Sequence, residues 1–154
     1  MKKYTAALLL AALLSVITKK DYSEKKQPVM KLNAGIITPL LQETKRFYQE
    51  VLGFGVTFEN EWYVLMHTPG HTSELAFLQP DHPGQQPLFQ PRFEGRGVFI
   101  TIEVGDVDEV YEQVKAKGVP VAIDIRDEPW GDRHFAIVDP NGVGVDIVTY
   151  NPQQ

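Results

Sequence analysis

The chain has no cysteine, so it has no disulfide framework, no thiolate for a soft metal and no cysteine nucleophile; any metal would rest on nitrogen or oxygen donors. It also lacks a surplus of positive charge. The 15 Lys and Arg stand against 20 Asp and Glu, a formal net charge of -5, which supplies no basic surface for neutralising phosphates and excludes nucleic acid as an expected partner. A membrane-spanning run is missing too, because the most apolar stretch, residues 6–17, falls well short of the roughly 20 apolar residues needed to cross a bilayer. What remains is a chain of 154 residues, 43% apolar, which is enough to bury the core of one domain.

Residues 1–29 differ from the rest. Lys2 and Lys3 precede the apolar stretch in the charge-then-hydrophobe layout of a secretory signal, but Ser15-Val16-Ile17-Thr18 and then Lys19-Lys20 supply no small-residue cleavage site. Three readings stay open: an uncleaved signal, a helix packing on the domain or on a partner, and an upstream extension of a domain that begins at Met30. Residues 21–29 are polar and lysine-rich and contain Pro28, so they read as a linker. The expected location is the cytoplasm, with export or membrane association through the apolar segment as the alternative.

Residues 30–154 are organised by an internal repeat. FYQEVLGFGV at 47–56 and VYEQVKAKGV at 110–119 share Tyr, Val, Gly and Val at equivalent places. In the first copy Thr38 is placed to cap a helix, Pro39 suits the first helical position, and Leu40, Leu41, Thr44, Phe47, Tyr48 and Val51 share a face. Gly53 or Gly55 ends it. In the second, Asp106 and Glu109 form a capping-box pair, Val107, Val110, Tyr111 and Val114 make the stripe, and Gly118 closes the helix. Strand patterns precede each helix at 32–37 and 98–104. Three more follow each helix, at 55–59, 62–67 and 74–78 and then at 119–125, 133–138 and 143–150. The order β-α-β-β-β therefore occurs twice, in modules of about 31–79 and 98–150, joined by a connector at 79–97 that carries Pro80, Pro83, Pro87 and Pro91. Asp139-Pro140-Asn141-Gly142 supplies the turn before the last strand.

That paired order, with NAGIITPLLQETKRFYQEVLGF and PWGDRHFAIVDPNGVGVDIV, resembles the glyoxalase, bleomycin-resistance and extradiol-dioxygenase (vicinal-oxygen-chelate) superfamily over about 31–150. The resemblance implies an α+β fold in which the two βαβββ modules form a curled mixed sheet, their two sheets curling together around a concave cavity, commonly in a homodimer. Metal-binding members draw one ligand from the first and last strand of each module. Those positions fall here on Asn33, Phe99 and Asp146, with Glu74, Leu75 or Ala76 for the remaining one. Phe offers no donor and Asn is a weak neutral oxygen ligand, so a tight transition-metal site is disfavoured. An oxygen-only set of Asn33, Glu74 and Asp146 remains as the alternative, suited to Mg²⁺ or Mn²⁺.

Other residues divide between chemistry and packing. His67 and His71 have the spacing of a helical metal pair, but Thr68-Pro69-Gly70 breaks any helix, so they read as loop histidines. His82 reads as a solvated residue of the connector. Arg133 and His134 are neighbours in a strand, so alternation sends only one of them toward the cavity. Arg133 reads as the partner of Asp146, or else as a fork for a ligand carboxylate or phosphate. Trp62, Phe93, Phe99 and Trp130 are candidate pocket walls or plain core, Trp130 standing out for its turn-rich setting. The expected ligand-binding set is thus Asn33, Trp62, Phe99, Trp130, Arg133, His134 and Asp146. The expected function is sequestration of a small organic compound without a cofactor. The alternative is a metal-dependent lyase, isomerase or thiol transferase resembling glyoxalase I or fosfomycin-modifying enzymes. An extradiol dioxygenase is weaker, because no histidine stands at either matching strand position, and a regulatory domain with a vestigial cavity is a third class.

Overall fold

Residues 30–150 are described by a computed structural model in which the two repeats fold as two βαβββ units. The first comprises β1 (Ala34–Ile37), α1 (Leu41–Leu52), β2 (Gly55–Glu59), β3 (Tyr63–His67) and β4 (Glu74–Leu78). The second comprises β5 (Phe99–Glu103), α2 (Val107–Ala116), β6 (Val121–Asp127), β7 (Asp132–Val138) and β8 (Gly144–Tyr150). The connector carries one short 3-10 turn, Pro87–Phe89. The apolar stretch at 6–17 lies outside the described residues, and among those described no helix is long and apolar enough to cross a membrane.

Strand order is the same in both units, β1-β4-β3-β2 and β5-β8-β7-β6, with the first strand parallel to the last and the remaining pairs antiparallel. The strands form two separate four-stranded mixed sheets, and β1 and β5 are both edges.

The helices follow their apolar stripes. In α1, Leu41, Thr44 and Tyr48 are buried, and Tyr48 packs on Phe54 and Phe77 at centroid distances of 5.3 and 5.1 Å. Gly53, at φ 71°, ends this helix, the left-handed conformation that glycine takes without a Cβ penalty. Thr38 does not cap it. Its hydroxyl accepts the Leu40 N–H at 2.9 Å in a local turn and donates to Asn141 Oδ1 at 2.5 Å, and the helix starts at Leu41 without a side-chain cap. In α2, Asp106 accepts the Glu109 N–H at 3.0 Å, while the Glu109 carboxylate accepts from Gln113 instead of closing the box.

The modules are tied by a buried polar knot. Tyr48 Oη donates to Asp139 at 3.3 Å, and Asp139 also accepts the N–H groups of Asn141 and Val143 at 2.8 and 2.9 Å. The Asn141 amide donates to Thr44 at 3.1 Å and to Asp139 at 3.0 Å. Buried polar groups need such partners, and burial together with the Asp139 carboxylate pushes the Tyr48 phenol well above its ordinary pKa. The knot joins α1 to the turn between β7 and β8. Period-2 alternation turns Val64, Met66, Leu75 and Phe77 of one sheet and Phe135, Ile137, Val145 and Ile147 of the other into the core. The opposite face of each sheet carries no helix, and there Phe58, Phe99, Val138 and Tyr150 are exposed.

Candidate functional site

The open face of the second sheet gathers most of the polar chemistry. Register places Thr101, Asp146 and Ala136 on one rung, Glu103, Val148, His134 and Arg126 on the next, and Tyr150 beside Asp132 beyond it. His134 is held between two carboxylates: Nδ1 lies 2.6 Å from Asp146 Oδ1 and Nε2 lies 3.1 Å from Glu128 Oε1. Ionised carboxylates only accept hydrogen bonds, so the imidazolium form, with both ring nitrogens donating, is the one that satisfies both. Consistently, the His134 pKa is raised, first by the Asp146 hydrogen bond and further by Glu128, and the Glu128 pKa is lowered, first by His134. Arg126 Nε donates to the same Glu128 oxygen at 2.6 Å, completing a chain of alternating charge from Asp146 to Arg126. The chain of charges fastens the β6–β7 hairpin to β8. At the tip of that hairpin Trp130 is 57% exposed, its indole N–H donating to Asp132 at 2.7 Å.

Several sequence expectations change. It is His134, not Arg133, that meets Asp146. Arg133 projects to the helix side, where it forks onto Asp108 at 2.8 and 2.7 Å and also reaches Asp127 at 3.1 Å. Trp62 is taken up by a stack on His82 at 4.5 Å, and His82 Nδ1 accepts the Gly84 N–H at 3.1 Å, so His82 is not merely solvated. His67 is the last residue of β3 rather than a loop histidine, His71 lies in the loop after it, and the two rings stack at 3.5 Å. His67 Nδ1 donates to the Thr68 carbonyl, which leaves Nε2 unprotonated in the neutral ring. The residues that sequence reasoning missed are Glu128, Arg126, Glu103 and Tyr150. Glu128 stands in the turn just past β6 and before Pro129, where strand alternation no longer assigns a side.

The donor set does not fit a divalent cation. Asn33 is exposed ahead of β1, Glu74 sits on the first sheet with the Thr57 hydroxyl 3.4 Å away, Phe99 has no donor, and the Asp146 carboxylate is engaged by the His134 imidazolium. Register also sets Thr101, rather than Phe99, beside Asp146. Among the described residues no group of three or more His, Asp or Glu side chains is arranged to share a metal ion.

A cavity of about 1190 Å³ opens along the free edge of β5, where the modules meet. Leu52, Phe54 and Leu75 line it from the first module, and Phe99, Glu103 and Tyr150 from the second. Of the expected ligand-binding set only Phe99 faces it; Asn33, Trp62, Trp130, Arg133, His134 and Asp146 do not.

The family model described as Glyoxalase/Bleomycin resistance protein/Dioxygenase superfamily matches residues 32–147. The chain belongs to this superfamily. Solved structures of superfamily fold align with it. TnmS3, an antibiotic binding protein from Streptomyces sp. CB03234, is 19% identical over 80% of this chain and 97% of its own, with a TM-score of 0.64. A lactoylglutathione lyase from Agrobacterium tumefaciens is 21% identical over 79% and 94%, TM-score 0.65. TioX from Micromonospora sp. ML1 is 15% identical over 81% and 99%, TM-score 0.63. At these identities the likeness establishes the superfamily's fold and not a shared ligand. No curated protein sequence matches the chain.

Proposed function

We propose that this superfamily member binds and sequesters a small organic compound in the crevice along β5, without a metal cofactor. The observation that carries the reading is the cavity of about 1190 Å³ walled by Phe99 and Tyr150, beside family ligand positions that, among the described residues, do not assemble a cation shell. Concave, largely apolar sites with a few polar groups are what small-molecule pockets require. The antibiotic-binding description of TnmS3 supports the same reading. Two copies per assembly are part of the proposal, because Phe58 and Val138 are exposed on the open faces away from the crevice, and a second copy would cover them. The test is a thermal-shift screen of apolar and aromatic compounds on the full chain, followed by Phe99→Ala and Tyr150→Ala, with the mass in solution measured alongside. Saturable stabilisation lost in both variants is the expected result, since a ligand of the native state raises apparent stability. A stoichiometric metal in protein purified without chelator, lost in Asp146→Ala, would overturn it in favour of glyoxalase-type chemistry.

A further inference from the structure

We infer that Asn141 is a self-modification site kept silent by the knot between the modules: once the knot opens, the Gly142 nitrogen displaces the Asn141 side-chain amide, and the acid left behind bars the knot from closing again. Of the asparagines in the chain, Asn33, Asn60 and Asn151 precede Ala34, Glu61 and Pro152, and only Asn141 precedes a glycine. Glycine has no Cβ to crowd its nitrogen as it approaches the neighbouring side chain, and proline has no N–H to react. The reaction needs only the chain and water. The Gly142 N–H gives up its proton, the nitrogen bonds to Asn141 Cγ in a cyclic imide, the Cγ–Nδ2 bond breaks, and Nδ2 leaves as ammonia with that proton. Water then opens the imide at either carbonyl, giving aspartate or the isomer in which the main chain runs through the former side chain.

In the folded protein every reacting group is held elsewhere. The Gly142 N–H donates to the Asp139 carbonyl at 3.0 Å. Asn141 Oδ1 accepts from the Thr38 hydroxyl at 2.5 Å, while Nδ2 donates to Thr44 Oγ1 at 3.1 Å and to Asp139 Oδ2 at 3.0 Å, so turning Cγ toward the Gly142 nitrogen breaks all of these bonds together. Water is not what is missing. Gly142 is exposed, and a second cavity, of about 330 Å³, lies against Thr38, Pro140 and Asn141. Hydrogen bonding rather than burial therefore restrains the site. The product cannot rebuild what is lost, because Nδ2 is the donor that Asp139 Oδ2 accepts, and a carboxylate in its place would set two anions about 3.0 Å apart with no proton between them. The isomer lengthens the main chain of the turn, and the Asn141 and Val143 N–H groups that Asp139 Oδ1 accepts at 2.8 and 2.9 Å lose their spacing. An opening of the knot is thereby made permanent.

The test follows Asn141 by mass in the tryptic peptide that begins at His134, whose other asparagine, Asn151, precedes Pro152 and cannot react in this way. The full chain is held at mildly alkaline pH in native buffer and in denaturant. Conversion should be at least about tenfold faster in the denatured chain, since the native protein reacts only through its open fraction. Thr44→Val removes one partner of the amide and should speed conversion about fivefold in native buffer, the weight of one hydrogen bond on the opening equilibrium. Should that variant fail to fold, wild type in graded denaturant reads the same dependence on opening. Asn141→Asp, the product made by substitution, should unfold at lower denaturant than wild type. Equal rates in native and denatured chain, or a native rate indifferent to Thr44→Val and to denaturant, would overturn the gating. No conversion in the denatured chain would overturn the site, and an Asn141→Asp variant as stable as wild type would overturn the claim that the acid bars the knot from closing.

Discussion

The two modules carry the same ten-residue echo, yet their equivalent tyrosines do opposite work. Tyr48 is fully buried and reaches across to Asp139 of the other module, whereas the Tyr111 hydroxyl bonds Asp124 at the surface of its own. The equivalent glycines diverge as well. A Cβ on Gly55 would lie 2.3 Å from His67 Nε2, while Gly118 meets nothing within 4 Å but sits at φ +72°. The open faces differ in degree: the first sheet presents Tyr63, Leu65 and Leu78 with His67 and Glu74 at one end, and the second presents a connected charged chain through Asp146, His134, Glu128 and Arg126. The strand order is identical, yet only the second sheet links its ionisable side chains into one chain.

Substitutions at equivalent places should break this contrast in graded steps. The largest effect belongs to Asp139→Ala, which strands the Tyr48 hydroxyl, two backbone N–H groups and the Asn141 amide. A loss of about 3 kcal/mol or more is expected in denaturant unfolding, against at most about 0.5 kcal/mol for the surface counterpart Asp124→Ala. Equal losses would show that the knot does not hold the modules together. Tyr48→Phe should cost about 1–2 kcal/mol and Tyr111→Phe almost nothing by the same assay.

The glycine pair sharpens the comparison with a rescue. Gly55→Ala and Gly118→Ala should each cost about 1 kcal/mol, the first by crowding His67 and the second by forcing a Cβ into left-handed backbone. Asn tolerates that backbone, so Gly118→Asn should recover part of the loss while Gly55→Asn recovers none. The Gly55 variants should also separate the His67–His71 stack, visible as a change in imidazole proton shifts.

The smallest effect is a pH dependence confined to the second module. The folded-state pKa of His134 is raised, so the stability it contributes is fully present below its unfolded value, near 6.5, and is lost as pH rises through the higher folded one. The melting temperature of the wild type should therefore exceed that of His134→Gln most at about pH 6 and least well above the folded pKa. A gap that widens with rising pH would mean that the ring is neutral in the native state.

Much of this architecture is legible in the sequence because local chemistry punctuates it. Gly53, Gly118 and the Asp139–Gly142 turn end elements where their backbone demands fall, and both apolar stripes face the core as their periods require. The site was legible only in part. Alternation says that Arg133 and His134 face opposite ways but not which way each faces, because Phe135, Ala136, Ile137 and Val138 after them are all apolar and mark neither side as the core. The stack of Trp62 on His82 joins residues from separate segments, which no local pattern encodes. Glu103 is an ordinary exposed glutamate until β5 is seen to border a cavity.

The reach from Tyr48 to Asp139 spans 91 residues of chain. At a synthesis rate of roughly 5–20 residues per second, the ribosome takes about 5–18 s to deliver the carboxylate after the phenol has been made. During that interval the first module has its own helix and strands but lacks the acceptor that lets its central tyrosine be buried without loss, and Thr38 and Thr44 still await Asn141. The nascent protein is therefore most exposed to misassembly just before its last hairpin emerges, and completion of β7 and β8 closes both halves together.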